Sequence, residues 1–175
     1  MIDESYKTLE KISDYAKKNN IKILFNPSTY LARRGYHFLK NIIDNTEILI
    51  LNREEASLIT NKNNINEMLE KINSYGVKIA VITDGENGNW AYDGYNYKHY
   101  RLEAGHPNVV ETTGAGDAFA SAFLASIIKK DNIVLGLKTG RANAESVIQN
   151  YGAKNILLNW NKAVKKSKNF KVILK

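Results

Sequence analysis

Residues 111–117 read Glu-Thr-Thr-Gly-Ala-Gly-Asp and run straight into AFASAFLASII, a stretch almost free of polar side chains. Two glycines at that place allow a tight bend that brings successive backbone N–H groups to one point. At a helix N-terminus such donors, added to the helix dipole, make an anion site, and phosphate fits it. Asp117 falls in the first turn, within reach of a hydroxyl that approaches the anion, so a carboxylate able to take a proton stands beside the anion site. A plainer reading stands next to this one: Thr112 or Thr113 caps a buried helix, and Asp117 complements its dipole. Two familiar phosphate loops are excluded. A P-loop needs Lys then Ser or Thr after its last glycine, where this chain has Asp117-Ala118, and the dinucleotide fingerprint needs Gly or Ala where Phe119 stands.

Three further stretches carry polar residues at suggestive spacings. Asn52-Arg53-Glu54-Glu55 follows the apolar run EILIL and reads as a capping box, with Asn52 as cap and Glu55 reaching back to its N–H. VITDGENGNW supplies Thr83, Gly85 and Gly88, an ordinary turn if taken alone. RANAESVIQNYGA places Asn143 in the middle of a helix, unremarkable by itself.

In this order the four stretches resemble the pfkB, or ribokinase-like, family of carbohydrate kinases. TTGAGDAFASAFLA is similar to the family's C-terminal signature, the Asn52 stretch to its Asn-x-x-Glu motif, the Thr83 stretch to its nucleotide loop, and the Asn143 stretch to the late helix bordering the adenine. The resemblance runs from about residue 4 to 158. It implies ATP-dependent phosphotransfer to a hydroxyl of a sugar, a nucleoside or a related small molecule. Its fold would be three-layer α/β/α, Rossmann-like and ribokinase-like, with a mostly parallel sheet. Under that resemblance Asp117 takes the proton of the attacking hydroxyl, and the N–H groups of Gly114, Ala115 and Gly116 stabilise charge on the transferring group. Asn52 and Glu55 hold Mg²⁺ through its water shell. Thr83, Gly85 and Gly88 border ribose and phosphates, and Asn143 the adenine.

Glu111 stands where the family has Asp, an acid that in ribokinase-like members helps bind a monovalent cation. The longer side chain moves the carboxylate by a methylene and leaves potassium as an open expectation, with Glu111 as its candidate ligand. The resemblance further implies a longer protein. An N-terminal portion with a Gly-Gly signature, most acceptor contacts and a lid through which homodimers form is expected beyond these residues. The chain is then the nucleotide half of a kinase, with a non-catalytic nucleotide-binding remnant or one half of a split kinase as the alternative.

The elements that must position these residues alternate. Apolar spacing at Leu9, Ile12, Tyr15 and Ala16 predicts a helix over 4–18 with Asp3 as cap, followed by a strand at 21–25, a helix at 36–43 and a strand at 47–51. The pattern goes on with helices from about 53 and at 64–74, a strand at 77–83, a hairpin made of WAYDG and YNYKHYRLE, and helices at 116–129 and about 132–150. Apolar strands separated by helices call for a parallel sheet covered on both faces. The opening helix has no strand before it to feed it. The second-last helix, apolar on nearly all sides, is expected to be held from behind by the core.

The 175 residues, 43% hydrophobic and 25% charged, suit a single globular domain over 1–175. No run is long and apolar enough to span a bilayer and the first twenty residues are charged throughout, so a cytoplasmic protein without membrane partner is expected. There is no cysteine, and histidines stand only at 37, 99 and 106, which argues against thiolate chemistry and a structural metal. The net charge of +7 raises nucleic acid as a partner, but the lysines are spread along the chain and nucleic acid is not expected. The densest group, NKAVKKSKNFKVILK, reads as a solvated face or a mobile end.

Overall fold

Ile48-Leu49-Ile50-Leu51 offers no polar residue to turn outward, so it is satisfied only as a strand covered on both faces. The computed structural model, which describes residues 2–174, folds it that way. The chain forms two compact units, the first Met1–Thr83 with Tyr92–His99, the second Asp84–Ala91 with Tyr100–Lys175.

In the first unit, strands β1 (Leu24–Phe25), β2 (Ile48–Asn52) and β3 (Ile79–Thr83) are parallel, with Leu24 opposite Ile48 and Ile48 opposite Ile79. Helices α1 (Ile2–Lys18), α2 (Thr29–Ala32), α3 (Gly35–Ile43), α4 (Arg53–Thr60) and α5 (Ile65–Ser74) accompany them. The buried set comes from both strand faces and from the helices: Leu39, Ile42 and Ile43 of α3, Ala56 and Ile59 of α4, and Met68, Leu69 and Ile72 of α5. The last rung of the ladder pairs Asn52 with Thr83, so the register sets two candidate polar residues side by side at the carboxyl ends of adjacent strands. That end of a parallel sheet is where α/β proteins bind ligands.

Two expectations here are corrected. The first strand is two residues long rather than five, because the N–H of Ile21 is already bonded to the carbonyl of Ala16 and closes α1. In α1, Asp3 lies inside the helix instead of capping it, and the inner face is not the expected apolar stripe. Ser13 and Ala16 are buried, while Ile12 and Tyr15 are 58% and 65% exposed. The helix is held largely by polar bonds to α3: Ser13 Oγ donates to the carbonyl of Asn41, Asn45 donates to Ser13 Oγ, and Asn41 donates to Glu10.

The hairpin appears as expected. Strands β4 (Asn89–Asp93) and β5 (Lys98–Leu102) are joined by a turn in which Asp93 Oδ1 accepts from the N–H groups of Tyr95 and Asn96. Its tip belongs to the first unit, where the strand order is β1-β2-β3-β4-β5. The near parts of both strands belong to the second unit, where β6 (Val172–Leu174) pairs antiparallel with β5, Leu102 opposite Val172.

The second unit is built on α6 (Ala115–Lys130) against α7 (Ile133–Ile148), with α8 (Trp160–Ser167) behind them. Gly136 and Gly140 of α7 face the rings of Phe123 and Phe119; a Cβ at Gly136 would stand 2.8 Å from the Phe123 ring. The buried hydroxyls of Ser126 and Thr139 bond to each other across the interface at 2.7 Å. α6 buries Ala118, Phe119, Ala120, Phe123 and Ser126, while Ile128 in its last turn is 74% exposed. Of the two readings of the basic tail, the solvated face is the one that appears: Asn159 caps α8 by accepting from Lys162, Ala163 and Ser167 are buried, and the lysines face out. Alternation of small and basic residues makes this segment an amphipathic helix followed by an edge strand.

Phe123 is fully buried where two helices approach through glycine. Phe123→Ala is expected to lower unfolding free energy by about 3–5 kcal/mol, since a cavity there has no long side chain on α7 to collapse into it. Urea denaturation followed by circular dichroism measures it.

Candidate functional site

The first turn of α6 is uncapped. Gly114 occupies the N-cap position in the left-handed region, φ +82° and ψ −2°, and no side chain accepts from the first turn. Neither Thr112 nor Thr113 therefore takes the capping role that the plainer reading gave them. A helix leaves its first N–H groups without internal partners. Here Ala115 N–H turns back to the carbonyl of Thr112 at 3.2 Å, and Ala118 N–H makes the first helical bond, to Gly114 at 2.9 Å. Between them, the N–H groups of Gly116 and Asp117 have no acceptor among the described residues. Of the expected donors Gly114, Ala115 and Gly116, Ala115 is the one whose N–H is drawn inward, to Thr112.

The two glycines differ in what they are for. A Cβ on Gly114 would meet the Ala153 carbonyl oxygen at 2.6 Å, so this glycine is demanded by both its φ and its neighbour. A Cβ on Gly116 would meet nothing within 4 Å. Nothing in the fold requires glycine there, and the place a Cβ would take is open. Gly116 and Asp117 are both exposed.

The loop is braced from behind by the segment that follows α7. Val110 and Glu111 both donate their N–H to the carbonyl of Ile148, and Gly114 rests on Ala153. Between these, the Glu111 carboxylate accepts from the N–H of Gly152 at 2.9 Å and from the Thr113 hydroxyl. The Gly152 bond first, then the Thr113 bond, hold the Glu111 carboxyl below the ordinary carboxylate range. This contribution is full above that range and is lost as pH falls through the lowered value. Residues 148–153 end a stretch the sequence had singled out, but their support of this loop was not legible, because about forty residues separate the two.

In the first unit the capping box is real. Asn52 Oδ1 accepts from Glu55 N–H at 2.8 Å, and Asn52 N–H donates to Glu55 Oε2 at 2.9 Å. Glu55 is 5% exposed, and its other oxygen, Oε1, accepts from the Thr29 hydroxyl at 2.8 Å. Thr29 lies on α2, which the sequence pattern did not reveal. Each carboxylate oxygen keeps a second lone pair. That donor set suits hydrogen bonds from the water shell of a cation that dehydrates reluctantly, such as Mg²⁺, and not direct coordination. Among the described residues no group of three or more His, Cys, Asp or Glu gathers as a metal cluster.

Thr83 ends β3, and its hydroxyl lies 3.5 Å from the carbonyl of Leu51. The next turn is tight: Asp84 N–H donates to Gly88, Gly85 opens a 3-10 turn over 85–87, and a Cβ on Gly88 would stand 2.5 Å from the carbonyl of Leu102. Asn143, the residue expected to border the adenine, lies inside α7. It is 4% exposed; its amide donates to the carbonyl of Ala118 at 2.8 Å and accepts from Leu158 N–H at 2.9 Å. A buried amide must be satisfied, and this one is satisfied by tying α7 to α6 and to the chain before α8.

Residues 5–160 match the model of the pfkB family carbohydrate kinases. The chain belongs to that family. The cytidine kinase of Thermococcus kodakarensis is 30% identical to it over 145 residues, 81% of this chain and 51% of that protein. The nucleoside kinase of Methanocaldococcus jannaschii, an archaeal member of the ribokinase family, superposes with a TM-score of 0.73 at 25% identity, over 90% of this chain and 51% of that one. The ribokinase of Arabidopsis thaliana, solved with ribose and ATP, gives 0.78 at 20% identity, over 93% and 53%, and shows the same fold. The chain spans about half the length of the curated relatives it matches. As in that fold, six strands form a mixed sheet whose first three are parallel. No helix among the described residues is long and apolar enough to cross a membrane.

The contrast between the glycines is testable by substitution. Gly114→Ala is expected to cost more than about 1–2 kcal/mol of stability, from the left-handed φ alone. Gly116→Ala is expected to leave stability unchanged or raise it by up to about 1 kcal/mol through helix propensity. Thermal melts of both variants beside wild type decide it.

Proposed function

We propose that this chain carries the nucleotide-handling half of an ATP-dependent kinase that phosphorylates a hydroxyl of a sugar or nucleoside. The observation that carries the reading is the uncapped first turn of α6, with two free N–H donors and an open space kept by Gly116. In such a kinase phosphoryl transfer depends on position and charge rather than on covalent catalysis. The N–H groups of Gly116 and Asp117, with the helix dipole behind them, would receive negative charge on the transferring group without moving. The exposed Asp117 carboxylate would accept the proton of the attacking hydroxyl.

Asn52 and Glu55 would hold the water shell of Mg²⁺, with Glu55 fixed in one orientation by Thr29 and by the cap. Bound there with the nucleotide, Mg²⁺ supplies neutralising charge to the phosphates. Thr83, Gly85 and Gly88 would border ribose and phosphates, the tight turn at Gly88 keeping that loop low. Asn143 would serve as a positioning residue, since it fixes the start of α6 through Ala118. A cytoplasmic location and a homodimer formed through a lid belong to the same reading of the whole protein.

The test is made on the full-length kinase with a panel of sugars and nucleosides, scoring ADP and phosphorylated acceptor. Asp117→Asn is expected to lower kcat by about 10²–10⁴-fold while ATP still binds. Near-normal turnover in that variant would remove Asp117 as the base. Gly116→Ala, though stable, is expected to lose turnover because its methyl occupies the anion space; unaltered turnover would remove the cradle.

A further inference from the structure

A monovalent cation beside the anion loop, expected from the resemblance with Glu111 as ligand, does not fit the groups present. A hard cation needs oxygen lone pairs turned toward it. Around the Glu111 carboxylate the groups turned inward are donors, the N–H of Gly152 at 2.9 Å and the hydroxyl of Thr113. An N–H bonded to the carboxylate presents partial positive charge to it and competes with any cation for the same oxygen. Such charge-assisted bonds are roughly twice as strong as neutral ones.

We propose that Glu111 takes the place of a monovalent cation in this protein: its carboxylate ties residues 148–153 directly to the anion loop, so that phosphotransfer needs no potassium. This rests on the kinase reading above. The geometry makes the tether consequential. Glu111 lies three residues before Gly114, the N-cap, and Gly152 is next to Ala153, on which Gly114 rests. With the N–H groups of Val110 and Glu111 on the Ile148 carbonyl, the carboxylate completes a clamp of three contacts between two short segments. An aspartate at this position would stop one methylene short of Gly152, which would leave a gap between carboxylate and loop for a cation to fill. Glutamate closes it with its own length, which makes Glu111 a positioning residue that acts through the loop.

The experiment compares the full-length kinase and its Glu111→Asp variant in potassium chloride and in choline chloride at equal ionic strength, with ADP measured directly. Hydrogen exchange at the Gly152 amide is followed in both proteins without nucleotide. Wild type is expected to turn over at the same rate in either salt. Glu111→Asp is expected to exchange the Gly152 amide about tenfold faster, as loss of a bond to a charged acceptor implies, and to regain rate with potassium but not with choline. A merely structural role for Glu111 would not create cation dependence in the shorter variant. Marked stimulation of wild type by potassium overturns the proposal, and so does an Asp variant whose rate ignores potassium or whose Gly152 amide is as protected as before. If Glu111→Asp fails to fold, the wild-type comparison of the two salts still decides. No ADP in any salt would overturn the kinase reading as well, whereas the exchange measurement, made without nucleotide, judges the tether separately.

Discussion

A helix N-terminus buried or exposed has the same problem: its leading N–H groups point along the axis and find no carbonyl inside the helix. Most helices solve it with a Ser, Thr, Asn or Asp side chain, a substitution of which costs about 1 kcal/mol. α4 takes that course with Asn52, α5 with Asn64, α7 with Asn132 and α8 with Asn159. α6 does not. Its start is left open, and the rest of the second unit is arranged to tolerate that. The interlocked face against α7 supplies stability that the cap does not, and the segment after α7 supplies the shape of the loop.

That shape is imposed from outside. A glycine in the left-handed region has many alternatives open to it, so the loop at 111–116 has no strong preference of its own. Ile148 fixes where it enters, Ala153 fixes where it turns, and Glu111 draws the two segments together. A preorganised set of donors is effective because nothing needs to reorient when charge arrives. Rigidity at the loop is therefore borrowed from α7 and the chain that follows it.

The first unit reaches a similar end by the opposite route. Asn52 and Glu55 satisfy each other as a capping box, and the same bonds, with Thr29, hold a carboxylate in one orientation at the end of β2. Structural and chemical readings of these residues are not rivals, because a well-capped helix start is also a well-aimed carboxylate. Asn143 shows the limit of that argument. Burial between α6 and the chain before α8 leaves its amide committed to the fold.

What could be read along the chain was whatever depends on near neighbours. The strands Ile48–Asn52 and Ile79–Thr83, the hairpin, the capping box at Asn52 and the glycine-to-acid step into α6 all follow from residues within a turn or two of one another. The misread places are those decided by a distant partner. The outward faces of Ile12 and Tyr15, the pairing of β6 with β5, Thr29 on Glu55 and Asn143 on Leu158 each depend on contacts that periodicity does not encode. The amino-acid sequence by itself determined the family, most of the element order and the glycine-to-acid step into α6, since those are properties of local pattern. Only the tertiary structure decided which N–H groups are free, why Gly114 must be glycine while Gly116 need not be, and what Glu111 grips. Those answers turn on backbone atoms about forty residues away, brought within hydrogen-bond distance by the packing of α7 on α6.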